Sequence, residues 1–176
     1  MTFCDKLIVA VGVNPAKKTL FSEEERVKQI TSAITSELDF LTSTNVVASS
    51  FQGLLVNYAK EVDAQILIRG IRSVSDFEYE INLAGINKTL TPKLETVFLP
   101  TSPELAVVSS SMVKEIFKHG GDIKKFVPQG IVKDLGDKFG FVKTGKTCSK
   151  CGKSDNLKLT DDKPPFTYCR VCGVVV

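Results

Sequence analysis

No apolar run in the sequence approaches the roughly 18 residues that a membrane span requires. The longest early run, Leu7–Val13, is strand-sized. Met1–Lys6 lacks a basic segment leading into a long apolar core. No secretory signal is therefore read there, and the cytoplasm is the expected compartment. Neither an internal repeat nor a low-complexity linker interrupts the chain. Histidine occurs once, at His119, before two glycines at a helix end, which predicts a structural position rather than acid–base work. Charge of either sign is barely in excess. The net charge is +3, and residues 145–176 hold six basic and three acidic side chains, leaving 17 of each sign in residues 1–144. A nucleic-acid surface needs more than that, so nucleic acid is not an expected partner. The body is also poor in cysteine: Cys4 stands alone as an expected small core residue, and the other four cysteines crowd the tail. Nothing points to an oxidising compartment, which excludes a disulfide framework.

What remains is an ordinary soluble composition, 43% hydrophobic and 24% charged over 176 residues. That suits one domain with a small appendage. The run Lys6–Val13 ends in Gly12-Val13-Asn14-Pro15, a strand followed by a turn. Ser22 with Glu25 forms a capping box ahead of Val27, Ile30, Ala33, Ile34 and Leu38, which predicts an amphipathic helix over 22–38. Asn45–Phe51 and Gln65–Ile68 read as strands, with a short helix over Leu54–Glu61 between them. Helix is predicted over 76–91, stopped by Pro92, with Phe77 and Tyr79 as core residues. Glu95–Leu99 is a further strand, and Ser109–His119 and Gln129–Lys138 are further helices. Alternating strand and helix, with apolar strands that lack two-residue periodicity, predict a parallel α/β sheet covered on both faces.

In such sheets ligands bind beyond the carboxyl ends of the strands. That rim holds three clusters. Asn14–Lys18 brings two lysines to a strand end, as a phosphate grip or simply a solvated loop. Arg69-Gly70-Ile71-Arg72 places two guanidinium groups at the end of a buried strand. They suit bidentate phosphate contact or ion pairs with Asp76, Glu78 or Glu80. Glu80 is itself placed to accept from an adenine amino group or to orient an arginine. Ser109-Ser110-Ser111 opens a helix. One serine suffices for capping, so three in a row lean toward an anion site.

These clusters, in the stretches NPAKKTLFSEEERV, LIRGIRSVSDFEYEINLAGINKTL, ETVFLPTSPE and VVSSSMVKEIFKHGGDI, resemble phosphopantetheine adenylyltransferase over residues 6–138. The resemblance implies a Rossmann-like doubly wound sheet and transfer of AMP from ATP to 4′-phosphopantetheine, giving dephospho-coenzyme A and pyrophosphate, with Mg²⁺ accompanying ATP. It implies Lys17, Leu55 and Arg69 as substrate contacts, and Gly70, Ile71, Arg72, Glu80 and Leu105, Ala106, Val107, Val108, Ser109, Ser110 and Ser111 as ATP contacts. Lys17 and Arg72 are the implied catalytic side chains, stabilising charge during an in-line displacement. A hexamer is the implied assembly.

The family pattern opens with a strand, a turn and an H-x-G-H or T-x-G-H motif that supplies the catalytic histidine. No such motif occurs in this sequence. The expectation is an N-terminally incomplete copy whose sheet lacks its central first strand and exposes apolar edges there. The tail adds Cys148-x-x-Cys151-Gly and Cys169-x-x-Cys172-Gly, two knuckles separated by 17 residues. Four thiolates so arranged predict a closed structural Zn²⁺ site of the zinc-ribbon kind. Metal would stabilise a segment too short to fold on a core of its own. The expected domains are therefore 1–144 and 145–176. The first functional reading is the adenylyltransferase. The rival is a catalytically inactive homologue that binds nucleotide or pantetheine, or acts as a zinc-ribbon interaction module. A third is a zinc-ribbon nucleic-acid binder.

Overall fold

A computed structural model describes residues 4–119, 121–139, 141–143, 156–159 and 167–169. The apolar run forms β1 (Leu7–Val13), and the capping box opens α1 (Glu23–Glu37). The Ser22 backbone N–H donates to Glu25 Oε2 at 2.7 Å, and the Glu25 N–H donates to Ser22 Oγ at 3.2 Å, so two orphan donors of the helix start are satisfied reciprocally. A short helix, α2 (Phe40–Ser43), leads into β2 (Val46–Gln52). Gly53, at φ +85°, turns the chain into α3 (Leu55–Glu61). Next come β3 (Ile66–Ile71) and α4 (Val74–Leu90), the latter capped by Ser73 Oγ accepting from the Asp76 N–H at 3.2 Å. β4 (Glu95–Pro100) and α5 (Pro103–Ala106) follow. Then come α6 (Ser110–Lys118) and α7 (Gln129–Lys138). Three short strands close the order: β5 (Phe141–Lys143), β6 (Asn156–Leu159) and β7 (Thr167–Cys169).

The chain divides into two compact units, one of residues 1–28 and 45–107, the other of residues 29–44 and 108–176. In the first, β1 pairs in parallel with β2, from Leu7 opposite Val46 to Val13 opposite Gln52. β3 pairs in parallel with β4, from Ile66 opposite Glu95 to Ile71 opposite Pro100. The predicted parallel architecture is thus present, but as two separate two-stranded sheets rather than one continuous sheet. Its core is correspondingly small. Val56, Ala59 and Leu94 are buried together, with Ala64 and Leu67 packed against them. Full burial of a side chain such as Val56 or Leu94 contributes roughly 1.5–3 kcal/mol.

Four expectations fail in this unit. The strands are not covered on both faces, since Ile66, Val97 and Leu99 are all exposed. Phe77 and Tyr79 are likewise exposed, Tyr79 at 64%, because no residue of α4 is buried. Phe77 instead meets Phe98 of β4 edge-on, with ring centroids 5.5 Å apart. Cys4 is half-buried rather than a core residue. Arg69, Gly70 and Ile71, expected to follow β3, lie within it, because β4 continues alongside to Pro100.

In the second unit, Phe117 and Ile123 are fully buried, with Val113, Val132 and Leu135 also inside. Gln29 Nε2 donates to Asp134 Oδ2 at 2.8 Å, tying α1 to α7. β5, β6 and β7 form an antiparallel three-stranded sheet. The expected boundary at 144/145 lies outside the described residues. No helix among the described residues is long and apolar enough to cross a membrane.

Candidate active site

The carboxyl ends of β1 and β3, in the first unit, carry two of the three rim clusters singled out above. After β1, Asn14 folds the chain back on itself. Its Oδ1 accepts from the Ala16 N–H and its carbonyl accepts from the Lys17 N–H, both at 3.0 Å. This Asx-type turn fixes the backbone of Lys17 while its side chain stays in solvent.

Arg69 is one of the last residues of β3, and Glu80 lies in the second turn of α4. Arg69 Nε donates to Glu80 Oε2 at 2.7 Å and Nη2 to Oε1 at 2.5 Å, a bidentate fork. This hydrogen bond raises the guanidinium pKa above its ordinary value, with burial opposing it. Arg72 Nε donates to Asp76 Oδ2 at 3.0 Å, from just before α4 to its first turn. Of the three ion-pair partners weighed for these arginines, Asp76 and Glu80 are engaged, and Glu80 takes the arginine-orienting role. The pairs also set geometry. Two of the five N–H donors of Arg69 are spent on Glu80, and the rest of the planar group is held in one orientation at the rim.

Nothing in the fold requires the glycine between these arginines. Gly70 has no positive φ, and a Cβ there would meet only Thr101 Oγ1, at 3.7 Å. The space above its backbone is available to a ligand. Ile71 ends β3 and is half-buried.

A cavity of about 720 Å³ runs along this part of the unit. Leu55 and Arg69 both line it, together with Gly12, Phe51 and Tyr58. Phe51 and Tyr58 stack with centroids 4.9 Å apart and planes 13° apart. Sequence reasoning missed Gly12, Phe51 and Tyr58. The signal was there: Leu55, Tyr58, Ala59 and Val62 recur at helical spacing, so one face of α3 is apolar. That pattern reads equally as core and as pocket wall. Lys17 and Arg72 do not line the cavity.

Leu105 and Ala106 lie in α5, and exposed Val107 follows it. Val108 through Ser111 belong to the second unit. There Ser109 caps α6, its Oγ accepting from the Met112 N–H at 3.2 Å, while Ser110 and Ser111 are exposed in the first turn. His119 caps the far end of α6 through its backbone N–H. Cys148, Cys151 and Cys172 lie outside the described residues, and Cys169 ends β7.

The rim and cavity are thus apolar along one wall, with oriented cations at the strand ends. The cytidylyltransferase-like family profile matches residues 2–116. A phosphopantetheine adenylyltransferase of Clostridium novyi is 49% identical over 139 residues, which is 79% of this chain and 83% of that protein. One from Caldanaerobacter subterraneus is 49% identical over 77% of this chain and 81% of its own. One from Thermosynechococcus vestitus is 48% identical over 74% of each. The chain belongs to the cytidylyltransferase-like family and, within it, to the phosphopantetheine adenylyltransferases.

Proposed function

We propose that this chain is an adenylyltransferase of coenzyme A biosynthesis, moving AMP from ATP to 4′-phosphopantetheine in the cytoplasm. The observation that carries the reading is that Leu55 and Arg69 both line one cavity, Arg69 being held by Glu80. An apolar wall leading to an oriented guanidinium suits a ligand with a long arm and a terminal phosphate. In this reading Lys17, Leu55 and Arg69 hold phosphopantetheine. Gly70, Ile71, Arg72 and the 105–111 segment hold ATP, with Arg72 and Lys17 neutralising the reacting phosphates. Glu80 serves chiefly by holding Arg69. Asp76 and Glu80 are already engaged by arginines, so Mg²⁺ arrives on the triphosphate as part of the substrate, where it spreads the developing charge.

The tail is assigned to a structural Zn²⁺ held by Cys148, Cys151, Cys169 and Cys172. The antiparallel β5–β7 sheet, with Cys169 at the end of β7, supports this assignment. A domain division at 144/145 goes with it. A hexamer is carried over from the resemblance as the assembly.

The test is pyrophosphate release from ATP, Mg²⁺ and 4′-phosphopantetheine. This chain is assayed beside one preceded by the family's strand, turn and H-x-G-H motif. Turnover in the extended chain supports the enzyme. If neither chain turns over yet both bind phosphopantetheine calorimetrically, the binding-module rival replaces it.

A further inference from the structure

Successive residues of a strand point to opposite faces, so the pair β3–β4 sorts the rim by side. Arg69 stands opposite Phe98 in the register. Arg69 reaches Glu80 and Phe98 meets Phe77, so both side chains point to the face on which α4 lies. Gly70 and its register partner Leu99 therefore belong to the other face. Leu99 is exposed there. Beyond the chain neighbours of Gly70, a Cβ on that glycine would have one atom within 4 Å among the described residues, Thr101 Oγ1 at 3.7 Å.

Thr101 directly follows β4. Its N–H donates to the Ile71 carbonyl at 2.9 Å, which extends the β3–β4 ladder by one step and holds its backbone. Two residues after Leu99, its side chain returns to the Gly70 face. Thr101 is half-buried, and its hydroxyl bonds to no other described residue. A hydroxyl donates one hydrogen bond and accepts two. An unspent donor and acceptor on a fixed backbone thus borders the open space on Gly70.

This side of the rim is neutral. It offers an exposed leucine, bare glycine backbone and one hydroxyl, while the Arg69 guanidinium lies on the opposite face. A phosphate calls for cations, whereas a sugar, with carbon faces and hydroxyl edges, matches these groups. Covalent order agrees. In a nucleotide the sugar sits between phosphates and base, and Arg72, assigned to the phosphates, lies two residues beyond Gly70.

We infer that Thr101 reads the ribose of the nucleotide. A ribose hydroxyl seated on Gly70 shares a hydrogen bond with Thr101 Oγ1, so this threonine makes the site prefer a ribonucleotide to one that lacks the sugar hydroxyls. The inference rests on the ATP site proposed above, and its test separates the two.

The whole chain is titrated calorimetrically with ATP and with 2′,3′-dideoxy-ATP, unsubstituted and as Thr101→Val and Thr101→Ser. Valine keeps the shape and removes the hydroxyl, and serine keeps the hydroxyl. The unsubstituted chain is expected to bind ATP roughly three- to tenfold more tightly than the dideoxy analogue, the worth of one hydrogen bond. Thr101→Val loses that preference by weakening ATP alone, and Thr101→Ser retains it. The unfolding midpoint of Thr101→Val stays where it was, because the hydroxyl holds nothing else. No preference in the unsubstituted chain, a preference that survives Thr101→Val, or equal weakening of both nucleotides overturns the role of Thr101 and leaves the ATP site standing. If the unsubstituted chain binds neither nucleotide, the ATP site itself is overturned and the inference falls with it.

Discussion

Arg69 and Glu80 illustrate how a side chain acts through another. The pair is worth little to stability, about 1 kcal/mol or less, because the arginine is 44% exposed. Its worth is in orientation. Glu80→Gln is expected to leave the unfolding midpoint nearly unchanged while weakening phosphopantetheine binding about tenfold by calorimetry. Glu80→Asp, with a shorter reach, is expected to restore only part. Gly70→Ala separates packing from binding in the opposite sense. The fold has room for the methyl group, so stability should stay within roughly 0.5 kcal/mol. ATP affinity should fall, because the methyl group occupies the space above the backbone. A fall in stability without loss of affinity would sink that assignment. At this scale much of the site was legible. The ion pairs of Arg69 and Arg72 could be read from the charges that surround the Arg69-Gly70-Ile71-Arg72 motif, whereas Leu55 entered only through the resemblance. Tyr58 and Phe51 were not legible, because an apolar helix face looks alike in sequence whether it meets a core or a cavity.

The elements were read most accurately where caps are written into the sequence. Ser22 and Glu25 place the start of α1, and Ser109 that of α6, each within a residue. Ser22→Ala is expected to cost about 1 kcal/mol, measured by urea unfolding. A hydrogen bond from Ser22 also holds the neighbouring Glu24 carboxyl below its ordinary pKa. The sign follows from that direction. The contribution of Glu24 is present above the ordinary carboxylate range and is lost as pH falls through its lowered folded value. Glu24→Gln should flatten that acid limb. Leu94→Ala, in the small core beside β3 and β4, is expected to cost about 2–5 kcal/mol in the same experiment. Burial was the less legible property. α4 is apolar in composition yet has no buried residue, so Phe77 and Tyr79, expected inside, are exposed. A count of apolar residues along a helix does not say what covers them.

For the whole molecule, the parallel α/β class was legible from strand–helix alternation alone, whereas the division into two strand pairs depends on which edges meet. The tail makes its own prediction. One zinc per chain is expected by metal analysis, and a chelator is expected to unfold residues 145–176 while the circular dichroism of the α/β body persists. A metal-free chain with an ordered tail would remove zinc from the account.

The rim's charges carry a kinetic consequence. Arg69 and Arg72 each come already matched with a carboxylate. From a Debye length away, an approaching phosphate meets two neutral pairs and feels little pull. The two arginines should therefore add little electrostatic acceleration to ligand capture, and the salt dependence of the on-rate should come from Lys17 and Lys18 instead. Discrimination is exercised at contact, by the fit of an anion to a fork held at a fixed angle.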